Sequence, residues 1–225
     1  MQNKNYKHPV IHFYSHVGTP ELVFFIALVI LLISPVFSID KYSLVSSMIN
    51  AFYIGSVYYL AKSHNTKYIK PIGVFIIALL IQAWITFFGY NLNNAVDFIL
   101  PALLLIISFL FILKSITRNN EVDIDTVLSA ISGYILIGLL FGIIIFIMEM
   151  IIPGNFTNVQ GLSYYDSIYF SFVTMSTLGY GDISPITQEG KSLVILTTLI
   201  GQFYMVIIMG IIVGKFISNK NKKSA

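Results

Sequence analysis

Cysteine is absent from the sequence, which excludes disulfide bonds and thiolate metal sites. Charged residues are scarce as well, since they make up 10% of the 225 residues, against about one in four in a typical soluble domain. Hydrophobic residues make up 56% of the chain, and its mean hydropathy is +0.83. The composition therefore predicts a membrane protein with lipid as its immediate surroundings.

Common enzyme motifs are also missing from the sequence. It has no Gly-rich phosphate loop, no His-Glu-x-x-His zinc motif and no Gly-x-Ser-x-Gly nucleophile elbow. The formal net charge is only +3, and the lysines lie in short clusters beside apolar runs. We therefore expect neither an enzyme nor a nucleic-acid-binding protein, and we expect no organic cofactor.

Six apolar segments approach the length of about 20 residues, within a range of about 17 to 25, that a membrane-spanning helix needs. They cover residues 20–37, 43–61, 71–90, 95–115, 127–152 and 190–217. The first segment could instead be a cleaved signal peptide, but its polar lead is long and no convincing small-x-small cleavage site follows it. Two pieces between the last two segments, 164–176 and 177–188, are too short to cross.

The distribution of lysine and arginine predicts the orientation of these segments. If both termini lie in the cytoplasm, only Lys41 and Lys191 of the thirteen lysine and arginine residues fall outside. Positive charge is concentrated on the cytoplasmic side of membrane proteins. The loop between the fifth and sixth segments is therefore predicted to face the extracellular side.

That loop contains the sequence Thr-Leu-Gly-Tyr-Gly-Asp at residues 177–182. A partly dehydrated cation needs a column of oxygen dipoles, and backbone carbonyls can supply them. Pointing successive carbonyls the same way requires backbone conformations that residues with a Cβ atom resist, so glycine is favoured at alternate positions. Gly179 and Gly181 fit this requirement, and the pattern indicates an ion-selectivity filter.

The hexapeptide resembles the signature of potassium channels, Thr-Val-Gly-Tyr-Gly-Asp in its commonest form, with Leu178 where valine or isoleucine is usual. The resemblance implies that K⁺ is bound by the carbonyls of four filter residues and by the first one's hydroxyl. These ion ligands are Thr177, Leu178, Gly179 and Tyr180. Gly181 completes the filter, and Asp182 lies at the outer mouth, where a carboxylate ring attracts cations. The K⁺ ions in the filter would be the only cofactor.

The resemblance also assigns supporting residues. Tyr164 to Ser176 is similar to the re-entrant pore helix, with Asp166 near its N-terminus. Within it, Tyr169 would reach Asp182 behind the filter, and Ser176 would be another residue that supports the filter. Val173 stands where some bacterial channels have a buried glutamate that pairs with the filter aspartate.

Two residues outside the pore helix belong to the same implied support. Glu149, at the outer end of the fifth segment, resembles an acidic residue that braces the pore loops. Gly201, twenty residues after Gly181, stands where potassium channels have a gating hinge, although a packing role is the alternative.

The fold class that follows is an all-α integral membrane protein. Four peripheral transmembrane helices would be followed by a two-helix pore module with a re-entrant pore helix and a selectivity-filter loop. The expected divisions are a cytoplasmic N-terminal segment (1–19), a sensor-like peripheral domain (20–116), a cytoplasmic linker (117–126), the pore domain (127–217) and a cytoplasmic tail (218–225). One filter sequence per chain predicts a homotetramer, because a closed carbonyl cage needs four loops around one axis.

The expected function is passive, K⁺-selective conduction across the plasma membrane. Between Ala95 and Leu113 the fourth segment has a single charge, Asp97, and lacks the arginines of a voltage sensor, so voltage gating should be weak or absent. Lipid would be a partner, and an additional regulatory subunit is a candidate partner. The alternatives are a poorly selective monovalent cation channel of the same fold and a membrane transporter. The transporter is disfavoured because no second copy of the loop is present.

Two polar clusters leave other roles open. On a helix, His8, His12 and His16 would share one face, which is compatible with a metal site or a pH sensor, but an amphipathic segment on the membrane surface is the simpler interpretation. Glu121, Asp123 and Asp125 could sense an ion such as calcium, although a full oxygen cage is not evident. Asp125 is alternatively predicted to cap the fifth helix.

Overall fold

The computed structural model describes residues 19–34, 44–64, 73, 96–118, 122–157 and 161–224. These residues form six helices and no strand. The helices are α1 (Pro20–Ile33), α2 (Leu44–His64), α3 (Val96–Arg118), α4 (Ile124–Ile151), α5 (Tyr164–Met175) and α6 (Gln188–Ser224). The expected all-α class is confirmed for this part of the chain. The third apolar segment, 71–90, lies outside the described residues except for residue 73, so the arrangement of four peripheral helices stays a prediction.

Three of the described helices are long and apolar enough to cross a membrane. Their candidate spans are Phe98–Thr117, Ile124–Ile151 and Gln188–Ser218. Helix α1 is apolar but shorter, with 14 residues. Spans by α1 and α2 therefore remain predictions, whereas α3, α4 and α6 support a membrane protein.

The polar linker before α4 is shorter than the sequence suggested, because α3 continues to Arg118 and α4 begins at Ile124. The predicted cap of α4 was wrong by two residues. Asp123 is the N-cap, and its carboxylate accepts hydrogen bonds from the Thr126 amide at 2.8 Å and from the Thr126 hydroxyl at 2.7 Å. Asp125 lies in the first turn instead and accepts a hydrogen bond from the hydroxyl of Thr19 at 3.0 Å. Both carboxylates thus have structural hydrogen bonds, and Glu121 lies outside the described residues.

Helix α4 is the central element of the described fold. Helices α1, α3, α5 and α6 all pack against it. Two glycines allow the pore helix α5 to approach α4 closely. A Cβ atom on Gly138 would lie 2.5 Å from the Phe172 ring, and one on Gly142 would lie 2.8 Å from the Ile168 Cα atom. The Gly-x-x-x-Gly spacing in α4 therefore serves the contact that positions the pore helix.

Candidate ion-filter loop

The pore helix α5 has a well-defined start. Ser163 is its N-cap and forms a reciprocal capping box with Asp166. The Ser163 hydroxyl donates to the Asp166 carboxylate at 2.7 Å and accepts from the Asp166 amide at 3.1 Å. This arrangement satisfies amides that a helix start otherwise leaves unpaired. The sequence prediction of a short helix over 164–176 is confirmed to within one residue, since Ser176 is the C-cap.

The loop after α5 has an alternating backbone. The φ angle is +60° at Thr177, +54° at Gly179 and +82° at Gly181, and Thr177 is the only non-glycine residue with positive φ in the described part of the chain. Alternate left-handed residues turn successive carbonyls toward one side, which is what a carbonyl-lined path needs. The positive φ at both glycines agrees with the sequence argument. The left-handed Thr177 was missed, because a β-branched residue disfavours that conformation.

The first residues of the candidate filter loop are held by the carboxyl end of α5, the predicted pore helix. The Leu178 amide donates to the Val173 carbonyl at 3.1 Å, and the Gly179 amide donates to the same oxygen at 3.4 Å. The Ser176 hydroxyl donates to it as well, at 3.3 Å. The Val173 carbonyl thus accepts three hydrogen bonds, so this residue contacts the loop through its backbone. The family resemblance concerned only its side chain.

The outer end of the loop is tied to the middle of the pore helix. The Tyr169 hydroxyl donates to the Asp182 carboxylate at 2.7 Å. This is the contact that the sequence resemblance implies for these two residues. The hydrogen bond to Asp182 is the main cause that raises the pKa of Tyr169 to about 12. The Tyr169 hydroxyl therefore stays a protonated donor well into the alkaline range.

A buried carboxylate organises the segment that precedes the pore helix. Glu149 is 5% exposed, and its two oxygens accept hydrogen bonds from the Gly154 amide at 2.8 Å and the Asn155 amide at 2.9 Å. The Asn155 carbonyl in turn accepts from the Ile186 amide at 2.7 Å, and its side chain accepts from the Thr187 hydroxyl. Glu149 therefore acts on the chain after the filter through Asn155, a relay that the sequence did not reveal.

A second set of contacts joins the same two segments. The Thr157 amide donates to the Ser184 carbonyl at 2.8 Å, and the Ser184 amide donates to the Thr157 hydroxyl at 2.8 Å. Nearby, the Phe156 and Phe170 rings meet edge to face, with 5.3 Å between their centroids. Phe170 lacks a hydrogen-bonding group, and its role here is apolar packing between the pore helix and the outer loop.

The inner helix α6 runs unbroken through Gly201, and this residue contacts the pore helix. A Cβ atom there would lie 3.0 Å from the Met175 Cγ atom. The next residue, Gln202, donates from Nε2 to the Met175 carbonyl at 3.0 Å. Sequence reasoning missed Gln202, because its partner lies 27 residues away and no local pattern marks the contact. A hinge at Gly201 stays a prediction.

The remaining predicted residues of the loop are exposed in the single chain. Leu178 and Tyr180 are 59% and 65% exposed in the single chain, and Asp182 is exposed as well. The loop is therefore assembled and supported within one chain, but it is not enclosed by it. His8, His12 and His16 lie outside the described residues.

Comparison with known proteins identifies the region around this loop. Residues 132–218 match a family model described as "Ion channel". This match extends from α4 through the pore helix and the loop to α6. No solved structure matched the chain.

Curated relatives match over the same kind of region. The chain is 46% identical to the two pore potassium channel c of Oryza sativa subsp. japonica over 52 residues, which are 22% of this chain and 11% of that protein. It is 43% identical to the calcium-activated potassium channel slowpoke of Drosophila melanogaster over 49 residues, 22% of this chain and 4% of that protein. Identity to the potassium channel K2 of Plasmodium falciparum is 34% over 87 residues, 37% of this chain and 6% of that protein. The chain thus spans about a tenth or less of the length of these relatives, and over this region it is similar to potassium channels.

Proposed function

We propose that four copies of this chain form a pore that conducts K⁺ passively. The carbonyls of Thr177, Leu178, Gly179 and Tyr180 are the ion ligands in this proposal, and Asp182 lies at the outer mouth. The observation that carries it is the alternating backbone directly after a pore helix, with positive φ at residues 177, 179 and 181. A left-handed threonine costs about 1–2 kcal/mol relative to the right-handed conformation. A loop whose carbonyls need no common orientation would gain nothing from this conformation.

A homotetramer is supported by what the single chain leaves exposed. The apolar residues Phe203 and Val206 of α6 are 59% and 70% exposed, and so is most of the loop itself. One filter strand supplies only one side of a coordination cage. Four copies around an axis would supply all sides and would cover the exposed face of α6.

Weak or absent voltage gating is the second part of the proposal. Each charge moved through the membrane field contributes about 2.3 kcal/mol per 100 mV, so steep voltage dependence needs several charges per subunit. The described span of α3, Phe98–Thr117, contains one basic residue, Lys114, which lies at its end. The distribution of lysines supports a plasma-membrane protein with both termini in the cytoplasm.

Planar bilayers containing the purified full chain test the proposal. Under a K⁺/Na⁺ gradient, we expect a reversal potential near the K⁺ equilibrium value, block by barium and no steep rise of conductance with voltage. A reversal potential insensitive to replacing Na⁺ by K⁺ would favour the poorly selective cation channel. Saturable transport coupled to a second substrate would favour a transporter.

A pair of glycine variants tests whether K⁺ selectivity depends on the loop. Gly179→Ala places a Cβ atom on a left-handed residue, and nothing lies within 4 Å of that atom in the single chain, so its effect within the chain is backbone strain. Gly55→Ala is the matched control, because nothing lies within 4 Å of an added Cβ atom in the middle of α2. We expect K⁺ selectivity to fall in the first variant only. Equal behaviour of the two variants would contradict the assignment of the filter.

A further inference from the structure

The base of the filter loop is attached to the inner helix at one point. Gln202 Nε2 donates to the Met175 carbonyl at 3.0 Å, and an added Cβ atom on Gly201 would lie 3.0 to 3.3 Å from three atoms of the Met175 side chain. Met175 is completely buried. We call Gly201, Gln202 and Met175 the attachment point.

Met175 is the last residue of the pore helix, and its carbonyl is one of those that the helix itself leaves without a partner. The chain then needs only Ser176 to reach Thr177, the first filter residue. Two residues before Met175, the Val173 carbonyl accepts the amides of Leu178 and Gly179. The end of the pore helix therefore binds the filter through Val173. The same end is bound to α6 through Met175.

The carboxamide of Gln202 differs from the hydroxyl of Thr198, one turn earlier on α6, in what it contacts. The Thr198 hydroxyl donates to the Val194 carbonyl of its own helix at 2.9 Å, a bond that connects nothing else. Gln202 instead reaches across to another helix. A methionine side chain would fill a similar volume there but would leave the Met175 carbonyl without this donor.

We propose that Gln202 is a positioning residue for the filter, and that Gly201 brings α6 close enough for this hydrogen bond to form. The carboxamide fixes the pore-helix end and, through Val173, the positions of the first filter carbonyls. Removing the donor frees this end to shift relative to α6, which loosens the carbonyl cage and reduces its discrimination between K⁺ and Na⁺. This inference rests on the proposed function and adds a residue that neither the motif nor the family match assigns.

The test compares Gln202→Met and Gln202→Glu with Thr198→Val in planar bilayers containing the purified full chain. Both Gln202 variants keep the length of the side chain and lose the amide donor, whereas Thr198→Val removes a hydroxyl that bonds only within α6. We expect the K⁺/Na⁺ permeability ratio to fall about fivefold in each Gln202 variant, the factor that corresponds to one neutral hydrogen bond. The melting temperature of the tetramer should stay close to the wild-type value in all of these variants. The K⁺/Na⁺ permeability ratio should stay close to the wild-type value in Thr198→Val.

An unchanged permeability ratio in Gln202→Met, or an equal fall in Thr198→Val, would overturn the inference. If Gln202→Met does not assemble, Gln202→Asn supplies the same test, because its amide is one methylene too short for Met175; a wild-type ratio in that variant also overturns the inference. Wild-type protein that conducts no K⁺ contradicts the proposed function, whereas a selective wild type with unaffected Gln202 variants contradicts this inference alone.

Gly201→Ala separates the attachment point from a hinge. The added Cβ atom would press on Met175, so we expect the permeability ratio to fall as in Gln202→Met. A change in the fraction of time that the channel is open, with an unchanged permeability ratio, would instead support a hinge and contradict the attachment role of Gly201.

Discussion

Replacing Glu149 tests whether the outer loop depends on one buried carboxylate. Its two oxygens accept the Gly154 and Asn155 amides, and Asn155 is only 1% exposed to solvent. A hydrogen bond to a charged group contributes about 1.5–3 kcal/mol, and a buried donor left without a partner costs about 1–3 kcal/mol. The Gly154 amide belongs to an exposed residue and can bond to water, so its share is smaller.

These magnitudes predict an order of stability. Glu149→Ala removes both acceptors and should lower the free energy of unfolding by about 3–5 kcal/mol per subunit. Glu149→Gln keeps one acceptor oxygen but turns its amide group toward a second donor, so we expect a loss of about 2–3 kcal/mol. Glu189→Gln is the matched control, because Glu189 lies exposed in the first turn of α6.

Denaturant unfolding of the detergent-solubilised protein measures these differences, and single-channel recording shows their effect on the filter. Since Asn155 bonds to Ile186 and Thr187, the Glu149 variants should also lose conductance faster during sustained recording. If Glu149→Gln unfolds within about 0.5 kcal/mol of the wild type, as most surface substitutions do, the relay through Asn155 does not support the loop.

Other contacts lead to further predictions. Tyr169→Phe removes the hydrogen bond to Asp182 and should shorten conducting periods in single-channel recordings, whereas Tyr165→Phe, which removes an exposed hydroxyl, should not. Because the pKa of Tyr169 is raised from 10.0 to about 12, the contribution of this hydrogen bond is complete below pH 10 and is lost as the pH rises through about 12. If the difference in conducting periods between wild type and Tyr169→Phe vanished already near neutral pH, this reasoning would be contradicted. Gly142→Ala would push against the Ile168 backbone and should lower the free energy of unfolding by about 1–3 kcal/mol in denaturant titrations, and a neutral effect would show that α4 and α5 are not closely packed.

The parts of the structure that follow from local sequence were predictable. Apolar runs located α3, α4 and α6, and the pairing of Ser163 with Asp166 places the start of the pore helix as a capping box does. The cap of α4 was placed two residues too late, because Asp123 and Asp125 are chemically equivalent and only the backbone decides which one precedes the first turn.

Contacts between distant segments could not be predicted as well from the sequence. The partners of Glu149 and Gln202 depend on how the loops and helices meet, and a single sequence contains no periodic signal for such a meeting. Glu149 was singled out through the family resemblance, but its route to the chain after the filter, through Asn155, appeared only in three dimensions. Gln202 has no counterpart in the filter signature and was not identified at all.

Thr177 shows why sequence rules fail at the residue that matters most to the proposed function. Local propensity disfavours a left-handed β-branched residue, yet Thr177 has a φ of +60°. Its amide donates to the Thr174 carbonyl at 3.1 Å, and the next two amides both bond to the Val173 carbonyl. Strained conformations persist where surrounding contacts over-determine them, and they concentrate at functional sites. A glycine at position 177 would relieve the strain but would lose the hydroxyl that the proposed function assigns to the ion path, so the proposed function, rather than stability, accounts for threonine at this position.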